Sequence, residues 1–265
     1  MNILEIAGYM ASVLIGLSLG LIGGGGSILT VPILVYFFKL DTILATTYSL
    51  FTVGLTSSVG AVIHYQKGNV NFKIALIFGI PSLVAVFVMR KWVMPAIPPH
   101  LLTIGHFELT RSILLMLLFA ILMLAASIAM IRKKKAHSAK EQQINYTKLV
   151  LQSIAMGLVT GLVGVGGGFL IIPSLLMFAG LEMKKAIATS LMIMTTSSLL
   201  GVLGDVSSQI MIDYSFLFTF SAFTIAGIIA GSYLTKYIND AKLKPAFGWF
   251  VLIMGLFVLL NTLNR

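Results

Sequence analysis

The chain has 265 residues, of which 58% are hydrophobic and only 10% charged, with a formal net charge of +10 and no cysteine. A soluble domain carries roughly 25% charged residues, so a water-soluble globule is excluded. Disulfides, thiolate metal sites and cysteine catalysis are excluded with it.

The charges sit in short clusters between apolar runs, several of which reach the ~17–25 residues needed to cross a bilayer. This is the pattern of a polytopic all-α membrane protein with the lipid bilayer as its solvent. In such a protein basic residues mark cytoplasmic loops. No basic patch is interleaved with aromatics, so the positive charge predicts no nucleic-acid partner.

Ten hydrophobic segments are predicted in chain order. In the first half they cover about 3–22, 27–38, 43–63, 72–90 and 110–131. In the second they cover about 148–165, 168–180, 185–204, 214–236 and 244–263. The N-terminus lacks a basic start and carries Glu5, so it reads as a membrane segment rather than a cleaved signal. The second segment of each half is too short to span alone. The polar stretch RKKKAHSAKEQQINYTK joins the halves. The expected organisation is a first transmembrane repeat at 1–131, a basic linker at 132–147 and a second repeat at 148–265.

The halves are related. Gly16 aligns with Gly157, and at that offset of 141 there are 17 identities over the 45 positions from Gly16 to Gly60. Six glycines and a proline fall in register, among them Gly23 with Gly164, Gly25 with Gly166, Gly26 with Gly167, Gly60 with Gly201 and Pro32 with Pro173. With the linker in the cytoplasm, the loop around Lys67 and Lys73 lies inside and the loop from Val206 to Asp213 lies outside. Three full spans plus a short pair that enters and returns make an odd number of crossings per half. The expectation is an inverted repeat with both termini outside; a parallel repeat with four spans per half is the alternative. Arg90, Lys91 and Arg111 sit against the charge rule.

The run LIGGGGSILTVPILV raises the question of function. In hydrocarbon every backbone polar group must be paired, so non-helical backbone is tolerated only where it is buried in protein or lines a wet cavity. Each glycine weakens a helix by roughly 0.8–1.0 kcal/mol relative to alanine, and proline is tolerated best in a first turn. Each glycine stretch is therefore predicted to end one helix, with a short helix beginning near Pro32 or Pro173. Such breaks expose free N–H groups and a positive dipole end, which suit an anion. Paired breaks in inverted repeats are a recurrent transporter design.

The expected substrate-binding residues are Gly23, Gly24, Gly25, Gly26, Ser27, Gly164, Gly166, Gly167 and Gly168. To these are added the hydroxyls of Ser49, Ser57, Ser190 and Ser198, which match in pairs across the repeat. The bland reading of membrane serines is a bond to the carbonyl of the preceding turn. Gly16, Gly20, Gly157 and Gly161 have the spacing of helix-packing contacts. No Asp, Glu, Lys or Arg is expected near the middle of a span. His64 and Asp205, which coincide at the repeat offset, are candidates for a gate or proton group. Amides and hydroxyls without a fixed charge suit a small anion of low charge. No cofactor or metal is called for.

These residues carry a resemblance. The motif G-L-x-x-G-L-x-G-x-G-G-x-x-L-x-x-P occurs at Gly16–Pro32 and again at Gly157–Pro173, followed by L-E-x-K-x-A-I-A-T-S-L from Leu181. The chain resembles the sulfite exporter TauE/SafE family, also called the 4-toluene sulfonate uptake permeases. The resemblance implies transport of small sulfur-containing anions, such as sulfite or sulfoacetate, across the bacterial inner membrane. Direction and substrate stay open, as does oligomeric state, a homo-oligomer included. Export by alternating access is the expected mode; an anion pore or a proton-coupled importer is the alternative. An enzyme would need a nucleophile–base pair or a metal cluster. The scattered His64, His100, His106 and His137 provide neither.

Overall fold

The computed structural model describes residues 3–98, 100–104, 107–131, 146–164, 166–206, 212–235 and 240–263. Most of the linker, together with His106 and His137, lies outside the described residues. The first half holds helices α1 (Ile3–Ile22), α2 (Ser27–Tyr36), α3 (Thr42–Gln66) and α4 (Phe72–Val88). A π-helical turn (Met89–Val93) and α5 (Met94–Ala96) extend α4 and lead to strands β1 (His100–Ile104) and β2 (Phe107–Thr110), then α6 (Arg111–Ile131). The second half holds α7 (Tyr146–Val163), α8 (Gly168–Phe178), α9 (Met183–Val206), α10 (Tyr214–Leu234) and α11 (Asp240–Leu263). Among the described residues six helical segments are long and apolar enough to cross a membrane: those of α1, α3, α4 with its extension, α7, α9 and α10.

Local chemistry sets several helix starts. The Asp41 carboxylate accepts from the Ile43 amide at 2.9 Å, Asn71 from Ile74 at 3.1 Å and Asp213 from Phe216 at 3.0 Å. Each side chain satisfies one of the first-turn donors that a helix leaves free.

The repeat seen in the sequence recurs in backbone geometry. Gly23 donates to the Leu19 carbonyl and Gly164 to that of Thr160, both at 2.8 Å. Leu40 donates to Leu34 at 3.2 Å and Leu181 to Leu175 at 3.3 Å, closing both short helices in the same way. The preceding residues, Lys39 and Gly180, are both left-handed, with φ of 55° and 61°.

Two interfaces exchange elements between the halves. In one, Gly16 and Gly20 of α1 lie directly on the backbone of α10 at Thr224–Ser232. In the other, Gly157 and Gly161 of α7 lie on α4 at Ser82–Met89. Small residues let these backbones approach. At the centre α3 and α9 cross antiparallel, with Leu50 meeting Gly201, Gly54 meeting Leu199 and Gly60 meeting Leu191. Helix α2 folds back along α1, so that Gly26 reaches Ile15 and Leu19 while Gly8 meets Phe37 and Phe38. The apolar side chains left exposed, such as Met10, Leu14, Ile80 and Leu151, lie on the outside of the bundle, as a lipid-facing surface requires.

Three differences from the sequence expectation have clear causes. First, the all-α architecture carries one short hairpin that the sequence does not announce. Pro98 cannot continue a helix, and the chain pairs β1 with β2 antiparallel, Thr103 opposite Glu108 and Ile104 opposite Phe107. Second, the short helices do not begin at the prolines. They begin at Ser27 and Gly168, and Pro32 and Pro173 sit inside them; the break is made by the glycines, whose backbone turns where a side chain would be strained.

Third, the charges that break the loop rule have partners in the protein. Arg111 donates to the carbonyls of Met94 and Ile97, both at 3.1 Å, capping the end of the α4 extension. Lys91 lies over the rings of Phe87 and Trp92. Arg90 is buried, not a loop charge.

Replacing Gly157 with Leu puts a side chain into the Ser82 carbonyl and Ala85. Overpacking of this kind costs about 1–3 kcal/mol, so G157L is expected to lower the midpoint of a detergent-unfolding titration. Ile121→Ala, on the exposed lipid-facing surface, should leave that midpoint unchanged.

Candidate functional site

The two glycine breaks meet. The position where a Cβ of Gly24 would stand is filled by the backbone of Gly168, and Gly168 in turn faces the Gly24 Cα and the Met194 thioether. No other residue fits at this contact, because any side chain on either strand would occupy the other's main chain. Gly23 lies against Ile187 of α9, and Gly164 against Thr46 of α3 and the guanidinium of Arg90. Gly164 has φ +71°, a conformation that strains any side chain. Gly166 faces Val53 and Ser198, and Gly167 faces Thr160. Gly25 is buried, within the first break. The contact thus brings Gly23–Gly26 and Gly164–Gly168 to one place, walled by α3 and α9.

The predicted hydroxyls divide. Ser27 donates to the Gly24 carbonyl at 2.8 Å, Ser190 to Ile187 at 2.8 Å and Ser57 to Gly54 at 3.2 Å. Thr195 also donates to Ser57, at 3.2 Å. The Ser57 and Ser190 bonds are the back-bonds that a membrane serine or threonine makes in any helix, whereas Ser27, the first residue of α2, bonds a carbonyl of the glycine break itself. Ser49 and Ser198 differ: both are fully buried and neither hydroxyl has a partner among the described residues. Thr30 and Thr160, beside the breaks, are in the same state. Each matched pair therefore has one bonded and one free member, Ser190 with Ser49 and Ser57 with Ser198.

His64 and Asp205 are not brought together. They lie near the C-terminal ends of α3 and α9, which run antiparallel, so they stand at opposite ends of the crossing. Both are buried. Neither ring nitrogen of His64 has a partner among the described residues. Asp205 Oδ2 accepts from Arg90 Nη1 at 3.1 Å and from Thr47 Oγ1 at 2.7 Å. Arg90 Nη1 also donates to Thr46 Oγ1 at 3.1 Å.

This buried ion pair corrects the expectation that the site lacks a fixed charge. Arg90 is 1% exposed and its guanidinium reaches the second glycine break. Sequence reasoning missed it because Arg90 lies at the predicted end of a span. The sequence holds half of the signal, an arginine against the charge rule; that Asp205 comes beside it follows from the packing of α9 on the end of α4, where Gly201 meets Val86 and Gly204 meets Arg90. In a membrane a lone buried charge is expensive, and a pair with satisfied hydrogen bonds is the tolerated form.

A helical multi-pass chain whose broken segments meet among buried hydroxyls and a charge pair defines a membrane transporter. Residues 9–258 match the Sulfite exporter TauE/SafE family, and the chain belongs to it. It is 29% identical over 248 residues to the probable membrane transporter protein YdhB of Bacillus subtilis, covering 93% of this chain and 96% of that protein. It is 28% identical over 253 residues to a probable membrane transporter protein of Xylella fastidiosa, covering 93% and 91%. The probable membrane transporter protein MJ0441 of Methanocaldococcus jannaschii is 26% identical over 266 residues, covering 94% of each chain. No solved structure matches the chain.

Removing one partner of a buried ion pair strands the other charge, at a cost of about 3–5 kcal/mol. Asp205→Ala is expected to lower the unfolding midpoint sharply, and Arg90→Met/Asp205→Leu to recover most of the loss. Equal loss in the single and double variants would show that the charges are not coupled.

Proposed function

We propose that the protein is a secondary transporter of small sulfur-containing anions, sulfite or an organosulfonate such as sulfoacetate, working outward by alternating access at the two glycine breaks. The observation that carries the reading is the meeting of Gly24 with Gly168. It holds two stretches of non-helical backbone against each other among polar groups that have no partner among the described residues. In hydrocarbon such backbone is tolerated where it is enclosed by protein or lines a cavity. The family description, a sulfite exporter, supports the substrate class. The ligand-lining residues are Gly23–Ser27, Gly164, Gly166–Gly168 and the hydroxyls of Ser49, Ser57, Ser190 and Ser198.

Export needs no coupling ion. Moving one charge through the membrane potential is worth about 2.3 kcal/mol per 100 mV, and a negative interior drives an anion outward. The bacterial inner membrane is the proposed location. We also propose that the halves form an inverted repeat, with linker 132–147 in the cytoplasm and both termini outside. The antiparallel crossing of the equivalent helices α3 and α9 supports it, since a pseudo-two-fold axis across those spans lies in the membrane plane.

The test is anion-driven current in proteoliposomes with sulfite, sulfoacetate, sulfate and chloride, for the natural protein and a Gly25→Leu/Gly166→Leu variant. Saturable sulfite or sulfonate current, lost in the double variant, is the expected result. Current that survives the substitution would remove the site from the glycine breaks. Non-saturating current would mark a pore.

The cysteine-free chain also allows a direct test of the topology. Gln66→Cys and Ser207→Cys, made singly, are expected to react with a membrane-impermeant thiol reagent from opposite sides of the bilayer. Labelling from the same side would establish the parallel arrangement.

A further inference from the structure

We infer that Arg90 is a substrate-coordinating residue, and that the free edge of its guanidinium selects an anion presenting two oxygens from one centre. This rests on the proposed anion transport and adds to it a fixed positive charge at the site.

The guanidinium has five N–H donors, and they are unequally used. Nη1 is held by Thr46 and Asp205, both at 3.1 Å. Thr47 braces the same carboxylate oxygen at 2.7 Å. Nε and Nη2 are buried and have no hydrogen-bond partner among the described residues. These two nitrogens form the side edge of the planar group, whose N–H bonds point the same way and match two oxygens on one atom. An arginine serving only to neutralise Asp205 would be expected to turn this edge toward the carboxylate, as bidentate pairs do. Here the carboxylate takes Nη1 alone.

The second observation is where the free edge lies. Nη2 stands in the space that a side chain on Gly164 would fill. Gly164 is the first residue of the second break, which leads through Gly166 and Gly167 into the N-terminus of α8. Leu170 and Ile171 both donate to the Gly167 carbonyl, at 2.9 and 3.0 Å, so it is the N–H groups of Gly168 and Phe169 that precede the first intrahelical acceptor. Ser198, with its unpartnered hydroxyl, faces Gly166 from α9. A buried cation with two open donors and a helix start therefore converge on the same turn. In α4 and α10 the matched contacts pair Ser82 with Thr224 and Val86 with Ile228, which puts Ser232 at the position equivalent to Arg90, so the repeat supplies no matching guanidinium to the first break.

The chemistry that fits is a sulfite, sulfonate or carboxylate group. Two of its oxygens take the Nε and Nη2 protons, and Asp205 keeps Arg90 in place through the opposite nitrogen. A halide has one acceptor atom and cannot satisfy both donors along their bond directions.

The experiment is zero-trans flux in proteoliposomes. It measures half-saturating sulfite for the natural protein and for Arg90→Lys, which keeps the charge and loses the edge. It also measures competition by methanesulfonate and by chloride. The expected results are a half-saturating concentration raised at least tenfold in R90K, and methanesulfonate competing at least tenfold better than chloride in the natural protein. A purely structural role would lower the maximal flux without moving half-saturation. Half-saturation within threefold of the natural value would overturn the inference, as would equal competition by chloride, which needs no variant. If the natural protein moves neither sulfite nor sulfonate, the transport reading fails by itself. The edge is then read from thermal stabilisation of the purified protein in detergent: preference for methanesulfonate over chloride, lost in R90K, upholds it, and no preference overturns it.

Discussion

The structure depends on one close approach, that of Gly24 to Gly168. Two chain segments give up helical hydrogen bonding at this point, inside a protein whose surroundings offer no water to replace it. The geometry works because the strands meet without side chains between them. Everything nearby follows from that contact. Helix α2 must fold back on α1, and α8 on α7, for the tips to reach each other. The remaining long helices then enclose them. The glycines of α1 and α7 serve the same end at the periphery, letting α10 and α4 come close enough to seal the outside of each hairpin.

Within this near-symmetrical frame the two halves have diverged in charge. Arg90, Asp205, Thr46 and Thr47 form a polar group at one end of the α3–α9 crossing. His64 stands at the other, where the residue equivalent to Arg90 is Ser232. The serine pairs show the same divergence on a smaller scale, with one hydroxyl bonded to its own helix and the matched one left free.

Much of this was legible from residue order. The ten hydrophobic segments match the long and short helices closely, because an apolar run in a membrane protein can satisfy its backbone in few ways. The breaks were legible because consecutive glycines are costly in a helix and their repetition in register is hard to attribute to composition. Pro32 and Pro173 mark the helix starts less closely than the glycines do. A proline marks a helix start when the helix begins in water, but among packed membrane helices neighbouring groups take up the hydrogen bond it leaves, so it can sit in the middle. The hairpin at 100–110 was not foreseen, since four or five residues of strand lack a periodicity strong enough to read.

Sequence alone determined that the chain is a multi-pass membrane protein, that it is duplicated, and that each copy is interrupted at its glycines. These are properties of local composition and of register, which need no knowledge of what lies across the fold. Tertiary structure alone decided that the interruptions touch, that Ser49 and Ser198 are the hydroxyls left free, and that Arg90 and Asp205, 115 positions apart in the chain, share one buried site. The physical reason is that pairing between distant polar groups depends on how α9 packs against α3 and against the end of α4, where Arg90 lies. No pattern along any of these helices encodes which residues that packing brings together.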